Sequence, residues 1–453
     1  MTLLLAQAAF AAPYEEWAGM YLGKEKMGYA YLKAEDVPGG YDITEEMTAA
    51  LTVLGTVQEV KIKTSSITDG GYRVKSFHFS MVSGFADATI DGVVDGNTLR
   101  LKTGPGQSDS EAIKLKETPF LSSGADLYIQ NQKLKAGDSM ELPLFDPASL
   151  SLQQMKVNVE SVEEMKEGEG LVPVYKVRES YSGIDGTSWI SPRLGTLKSS
   201  GPMGFTFLKE TKEQALNLKI NAPPDITALT AVPAEGEVVA DPRSVLFMKV
   251  KLEGADLSGM ALDGGRQVFS GGILSAEKED LSGIKPAQFP VKGPGLDEFL
   301  KPQPFVQSDD PRIIKQAGEI TGGEKDTLKA ARKLLGWVYD NLRKYPSAGI
   351  PNAVEVLQNL SGDCNEHATL FMALARAAGI PARMDAGLVL MNGKFYYHAW
   401  NEIYVGQWVT VDPTFGQFPA DASHIRLAEG GPDKQVELIK AVGKLKITVL
   451  ETR

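Results

Sequence analysis

Three side chains in the last third of the chain are of the types that nucleophilic acyl chemistry needs. Cys364 is the only cysteine among 453 residues, and His398 and Asp412 downstream of it are the one histidine-aspartate pair suited to activating it. A thiolate attacks an amide carbonyl, an imidazolium protonates the leaving amine, and the thioester passes its acyl group to water or to another amine. Water makes a protease or amidase, an amine makes a transferase, and the residue types alone do not choose.

The segment after Gly362 reads as one capped helix. Asp363 is a good N-cap, Glu366 three residues on completes a capping box, and Gly379 followed by Pro381 stops the helix. Cys364 then takes the first helical position, where unpaired backbone N–H groups and the positive end of the helix dipole favour a thiolate. Its own N–H is the expected oxyanion donor. Beyond Pro381 the period becomes strand-like: 382–391, the turn Asn392-Gly393, 394–405, and 408–412 form a three-stranded meander. A two-residue turn at Asn392-Gly393 sets His398 opposite Gly387, where a missing side chain leaves room for an imidazole and a substrate chain. A two-residue turn at Gly406-Gln407 would put Asp412 on the wrong face. The reading therefore requires a three-residue Val405-Gly406-Gln407 loop, which sets Asp412 diagonal to His398.

These motifs, Gly-Asp-Cys at a helix start, His398-Ala-Trp400 on a strand and Val411-Asp412-Pro413-Thr414 closing the next, resemble the transglutaminase-like superfamily, which shares the papain-like arrangement of cysteine, histidine and aspartate. The resemblance covers roughly 309–427. It implies Cys364 as nucleophile, His398 as its base and later its acid, and Asp412 as the group that orients His398. No cofactor and no metal is implied. Trp400, on the His398 face, would shield the site or touch substrate, and Gln358 stands at a papain-like spacing before the cysteine.

Each residue also has a plainer reading. A lone cysteine is ordinarily a small buried hydrophobe. His367, on the helix beside Cys364, is expected to pack or to support the site rather than to bind metal, since two ligands are too few. Asp385 and Glu402 face the His398 side of the sheet and rival Asp412; as lesser candidates they read as solvated or substrate-facing charges. His78 and His424 read as structural or exposed.

The rest of the chain reads as a carrier. Its length suggests about three domains at roughly 150 residues each, and the fold class is multidomain. Residues 13–222 are strand-rich, with turns such as Asp69-Gly70-Gly71 and Asp95-Gly96-Asn97, and predict a curved antiparallel sheet or half-barrel. Residues 223–303 read as a small β module with strands at 245–252 and 284–291 and a Pro/Gly linker, carrying no chemistry. Residues 304–453 form the α+β, papain-like domain, with helices at 312–320, 324–342 and 353–360 before the cysteine and at 433–442 after the meander. Residues 1–12 resemble the apolar and cleavage parts of a signal peptide without its basic start, so the expected location is periplasmic or secreted. A net charge of −11 without a basic cluster argues against nucleic acid as a partner. No other stretch approaches a membrane span. The expected partner is a peptide or protein substrate, with hydrolysis favoured over glutamine amine transfer and a non-catalytic scaffold as the remaining alternative.

Overall fold

The computed structural model describes residues 14–453 except 54, 84–85, 104–110, 169, 182–183, 219, 221–222, 347–348, 431–437, 439–440 and 442. The expected signal segment, 1–12, and most of the helix expected at 433–442 lie outside the described residues. The chain divides into two units, one mainly before Asp225 and one running from Asp225 to Arg453.

The first unit is a 14-stranded sheet built as two meanders. The strand Tyr14–Leu22 of the first pairs antiparallel with Phe205–Glu210 of the second, Trp17 standing opposite Glu210. Its strands alternate as half-buried strands must: in Ser151–Glu167, Met155, Val157 and Val159 are buried while Lys156, Asn158 and Glu160 are exposed. One helix, Ser122–Gln130, was not legible in the sequence. It begins without a side-chain cap, and its Ala125 and Ile129 pack with Phe120 against Leu142, Leu144, Val157 and Val177. Tertiary burial, not local signal, makes it a helix.

The second unit is a mixed sheet with helices packed on it. Strands run in the order Gln267–Ser270, Ile273–Glu277, Phe247–Glu253, Lys446–Thr452, Val232–Gly236, Lys394–Tyr404, Ala382–Met391 and His424–Glu429, with Trp408–Val411 pairing on Lys394–Tyr404. This corrects the reading of 223–303 as a separate module. Val232–Gly236 pairs parallel with Lys446–Thr452 and antiparallel with the histidine strand, so both ends of the unit share one sheet. The short strands around 232–277 complete a hydrophobic core with Leu388, Ile425, Leu427 and Ile447 that they could not form alone. The strand expected at 284–291 does not form, because Pro286 and Pro290 withdraw two ladder donors.

Four helices, Pro311–Thr321, Thr327–Asn341, Ala353–Asn359 and Cys364–Ala377, enclose a second core with Met384, Ala399, Ile403 and Val411 of the sheet. Their ends carry the punctuation expected of them. Asp310 caps the first with Pro311 behind it and Gly322 stops it in the left-handed region; Asp326 caps the second. The helix Cys364–Ala377 is the most enclosed, with Ala368, Leu370, Phe371 and Leu374 fully buried. Among the described residues no helix is long and apolar enough to cross a membrane.

Candidate functional site

Cys364 opens its helix as the sequence predicts. The Asp363 carboxylate accepts from the N–H of Asn365 at 2.8 Å, and Glu366 Oε2 accepts from the N–H of Asp363 at 2.8 Å. Gly379, at φ +83, ends the helix after Ala378. The backbone N–H of Ala399, the residue that follows His398, favours the thiolate of Cys364. Asn401 fastens the two elements together. Its buried amide donates to Ala368 O on the helix at 3.1 Å and to Arg383 O on the neighbouring strand at 3.3 Å. The expectation of a low-pKa thiolate is corrected here. Burial pushes the Cys364 thiol well up, and the charges of Asp363, Glu366 and Asp412 add to it, against the Ala399 N–H. A helix start stabilises a thiolate only as far as its surroundings leave the charge solvated or paired.

His398 stands opposite Gly387, and Tyr404 pairs with Trp408, so the second turn is the three-residue loop 405–407. That loop brings Asp412 to the imidazole: His398 Nε2 meets Asp412 Oδ2 at 2.8 Å. With Nε2 engaged, Nδ1 is the nitrogen left for a thiol. Phe415 stacks on the ring at 4.8 Å between centroids and Trp400 at 6.0 Å. Asp412 is fully buried, and its Oδ1 accepts from the N–H groups of Thr414 and Phe415 at 2.7 and 3.0 Å. Burial opposes its charge, but His398 and then His424 outweigh that and hold the carboxyl well below the usual range.

His424 is the residue the sequence reading missed. Read from sequence as structural or exposed, it is fully buried, with Nε2 at 3.0 Å from the same Asp412 Oδ2 and Nδ1 at 3.3 Å from Asp421 Oδ1. Asp421 in turn pairs with Arg243 at 2.9 Å. The guanidinium of Arg266 donates to the carbonyls of Ala420, Asp421 and His424 at 2.8, 2.9 and 3.0 Å. The segment 225–303, which showed no chemistry in sequence, thus supplies both arginines that hold this loop.

The other candidates fall elsewhere. Trp400 is 1% exposed and walls the two histidines, packing edge-on to His424 with ring centroids 5.2 Å apart, so it is not an open substrate surface. Gly387 offers no substrate space: a Cβ there would lie 2.1 Å from Ile425 O, because the strand His424–Glu429 closes on it with a register shift. Gln358 is exposed on the helix Ala353–Asn359. Asp385 and Glu402, expected as solvated or substrate-facing charges, are buried. Arg383 binds Glu402 and Glu429, the latter at 2.6 Å, and Arg426 reaches Glu402 at 3.2 Å. Burial, then the nearby Glu402, raises the Asp385 carboxyl well above its usual range. His367 donates from Nδ1 to Asp363 O at 2.7 Å, and burial lowers its basicity. His78 is exposed in the first unit, paired with Asp91 at 2.8 Å.

Two groups have the ligand types of a metal site: His398, Asp412 and His424, and Asp385, Glu402 and Glu429. In the first the two imidazoles hydrogen-bond the carboxylate between them; in the second Arg383 already holds Glu402 and Glu429 and Arg426 holds Glu402, while Asp385 Oδ1 has no hydrogen-bond partner among the described residues.

Residues 314–413 match the transglutaminase-like superfamily, so the C-terminal unit carries a transglutaminase-like domain. An uncharacterized protein of Haemophilus influenzae is 35% identical over 187 residues, which is 35% of this chain and 48% of that protein; the chain spans about half the length of this curated relative. Among solved structures, a candidate cysteine protease from Cytophaga hutchinsonii aligns at 14% identity over 71% of this chain and 81% of its own, with a TM-score of 0.31. A β-barrel-like protein of unknown function from Brucella abortus aligns at 11% identity over 44% of this chain and 94% of its own, TM-score 0.36. The periplasmic domain of TgpA from Pseudomonas aeruginosa aligns at 18% identity over 43% of this chain and 87% of its own, TM-score 0.25.

Proposed function

We propose that the C-terminal unit performs thiol-dependent acyl chemistry on peptide or protein amides, with Cys364 as nucleophile, His398 as proton carrier and Asp412 as the group that orients His398. The observation that carries this reading is the bond from His398 Nε2 to Asp412, which leaves Nδ1 free to serve the thiol of Cys364 at the start of the facing helix. The proton leaves Cys364 for His398 Nδ1 as sulfur attacks the carbonyl carbon. His398 then gives that proton to the departing amine, the C–N bond breaks, and a thioester remains. Water, deprotonated by the same imidazole, releases the acid. The backbone N–H of Cys364 at the helix start would serve the oxyanion.

Hydrolysis is the reading favoured over transfer to an amine, since water is the more abundant acceptor, and the substrate is expected outside the cytoplasm. The test uses a glutamine-containing peptide with and without a primary amine. Acid product in both supports the hydrolase; diversion to the substituted amide makes the protein a transglutaminase. Absence of both products, together with Cys364 alkylation by iodoacetamide that is unaltered in His398→Ala, would make the domain a scaffold.

A further inference from the structure

We propose that His424 is a positioning residue, a standing imidazolium between Asp412 and Asp421 that fixes the Asp412 carboxylate against His398 and offsets its charge there. This rests on the thiol–imidazole reading above for its consequence, though not for its geometry.

The donors around the two carboxylates decide the state of the ring between them. Asp412 Oδ1 is occupied by two peptide N–H groups and Oδ2 by the Nε2 atoms of both histidines, so the carboxylate accepts four hydrogen bonds and has no place for a proton of its own. Asp421 Oδ1 accepts from the Ser423 N–H at 2.8 Å and its hydroxyl at 2.5 Å, while Oδ2 faces Arg243 at 2.9 Å. It too is ionised. His424, fully buried, therefore presents Nε2 and Nδ1 to two different carboxylates, and both nitrogens must carry hydrogen. Burial works against that charge, but the bonds to Asp412 and Asp421 outweigh it and raise the affinity of the ring for its proton.

Among the described residues, the charged and titratable groups around the ring are Asp412, Asp421 and His398, with Arg243 behind Asp421 and Arg266 on the carbonyls of the loop. Phe415 and Trp400 close the remaining sides. Arg243, Asp421, His424 and Asp412 alternate in sign and sum to zero. His398 thus faces a carboxylate that is rigidly held yet already compensated, and a proton that His398 receives is not trapped by an unscreened anion. A lone aspartate would orient the ring as well and release the proton less readily.

The experiment has two readouts on the full-length chain. First, NMR of ¹³C-labelled histidine rings, only four in the sequence, follows the protonation of His424 with pH. It is expected to stay doubly protonated well past the ordinary midpoint of about 6.5. Second, the pH dependence of Cys364 alkylation by iodoacetamide is compared in wild type, His424→Gln, which keeps an N–H donor but no charge, and Asp421→Asn, which leaves His424 in place with one carboxylate fewer. Whichever of Cys364 and His398 loses the first proton does so beside a cation. Removing that cation moves the acid limb to higher pH by about one unit or more, whereas Asp421→Asn, which removes an anion and leaves the imidazolium, gives a smaller shift of the opposite sign.

A neutral His424 ring at pH 7 would overturn the proposal, as would an unmoved acid limb in both variants. If His398→Ala leaves the wild-type alkylation profile unchanged, the thiol–imidazole reading fails instead, and the ring titration still decides the state of His424.

Discussion

Replacing Asp412 by Asn changes one atom at the centre of the site, and the structure dictates how it must be received. The peptide N–H groups of Thr414 and Phe415 donate to Oδ1, so the amide oxygen has to occupy that position. The amide NH₂ then faces the Nε2 atoms of His398 and His424, where two N–H groups now point. His398 can accept from the amide only by moving its hydrogen to Nδ1, which removes the lone pair needed by the thiol. A wrong-tautomer histidine costs about 10⁴ in turnover in the best-studied Ser-His-Asp case, and a loss of that order is expected here. Two charge-assisted hydrogen bonds disappear as well, and His424 keeps only Asp421, so stability should fall by about 3–5 kcal/mol. Urea unfolding gives the second number, and iodoacetamide alkylation with peptide turnover gives the first. The sign of the pH dependence is also fixed. The Asp412 carboxyl is held below its usual value, so its contribution is full above about pH 4 and is lost as pH falls further. Asp412→Asn should lack that acid-side component. Alkylation of Asp412→Asn at the wild-type rate across pH would refute the reasoning about the tautomer.

Three further outcomes are expected. Asn401→Ala frees two buried carbonyls, Ala368 O and Arg383 O, and should cost about 1–3 kcal/mol in urea unfolding; turnover should fall more than substrate affinity, since the cysteine helix loses its tie to the histidine strand. Gly387→Ala drives a Cβ to 2.1 Å from Ile425 O, so the strand His424–Glu429 must shift; a soluble variant with unchanged melting temperature and alkylation would contradict the packing described. In the first unit, burial raises the Glu179 carboxyl to about 7. A raised carboxyl favours the folded state's proton, so this unit should lose up to about 3 kcal/mol as pH rises from 4 to 8, and Glu179→Gln should flatten that slope in thermal unfolding.

Local signals carried much of the site. A capping box and a glycine stop define the cysteine helix without any tertiary information, because caps satisfy backbone groups within one turn. The period-two alternation of the meander made the three-residue loop a geometric requirement, and the register 404–408 matches it. The failures share a physical cause. Whether a charge is solvated depends on what closes over it: Asp385 and Glu402 were assigned to the correct face, but only the fold shows Arg383 and Arg426 burying them. The thiol's environment reversed for the same reason, since a helix dipole is local and desolvation is not. Arg243 and Arg266 had no legible connection to His424, each being more than 150 residues from it and meeting it only because a short strand at 232–236 joins the two ends of the C-terminal unit in one sheet. The sequence by itself determined the helix that Cys364 opens and the register that brings His398 to Asp412, both set by hydrogen bonds between near neighbours. The tertiary structure decided the electrostatics of that site, because burial and distant counter-charges are properties of the packed molecule.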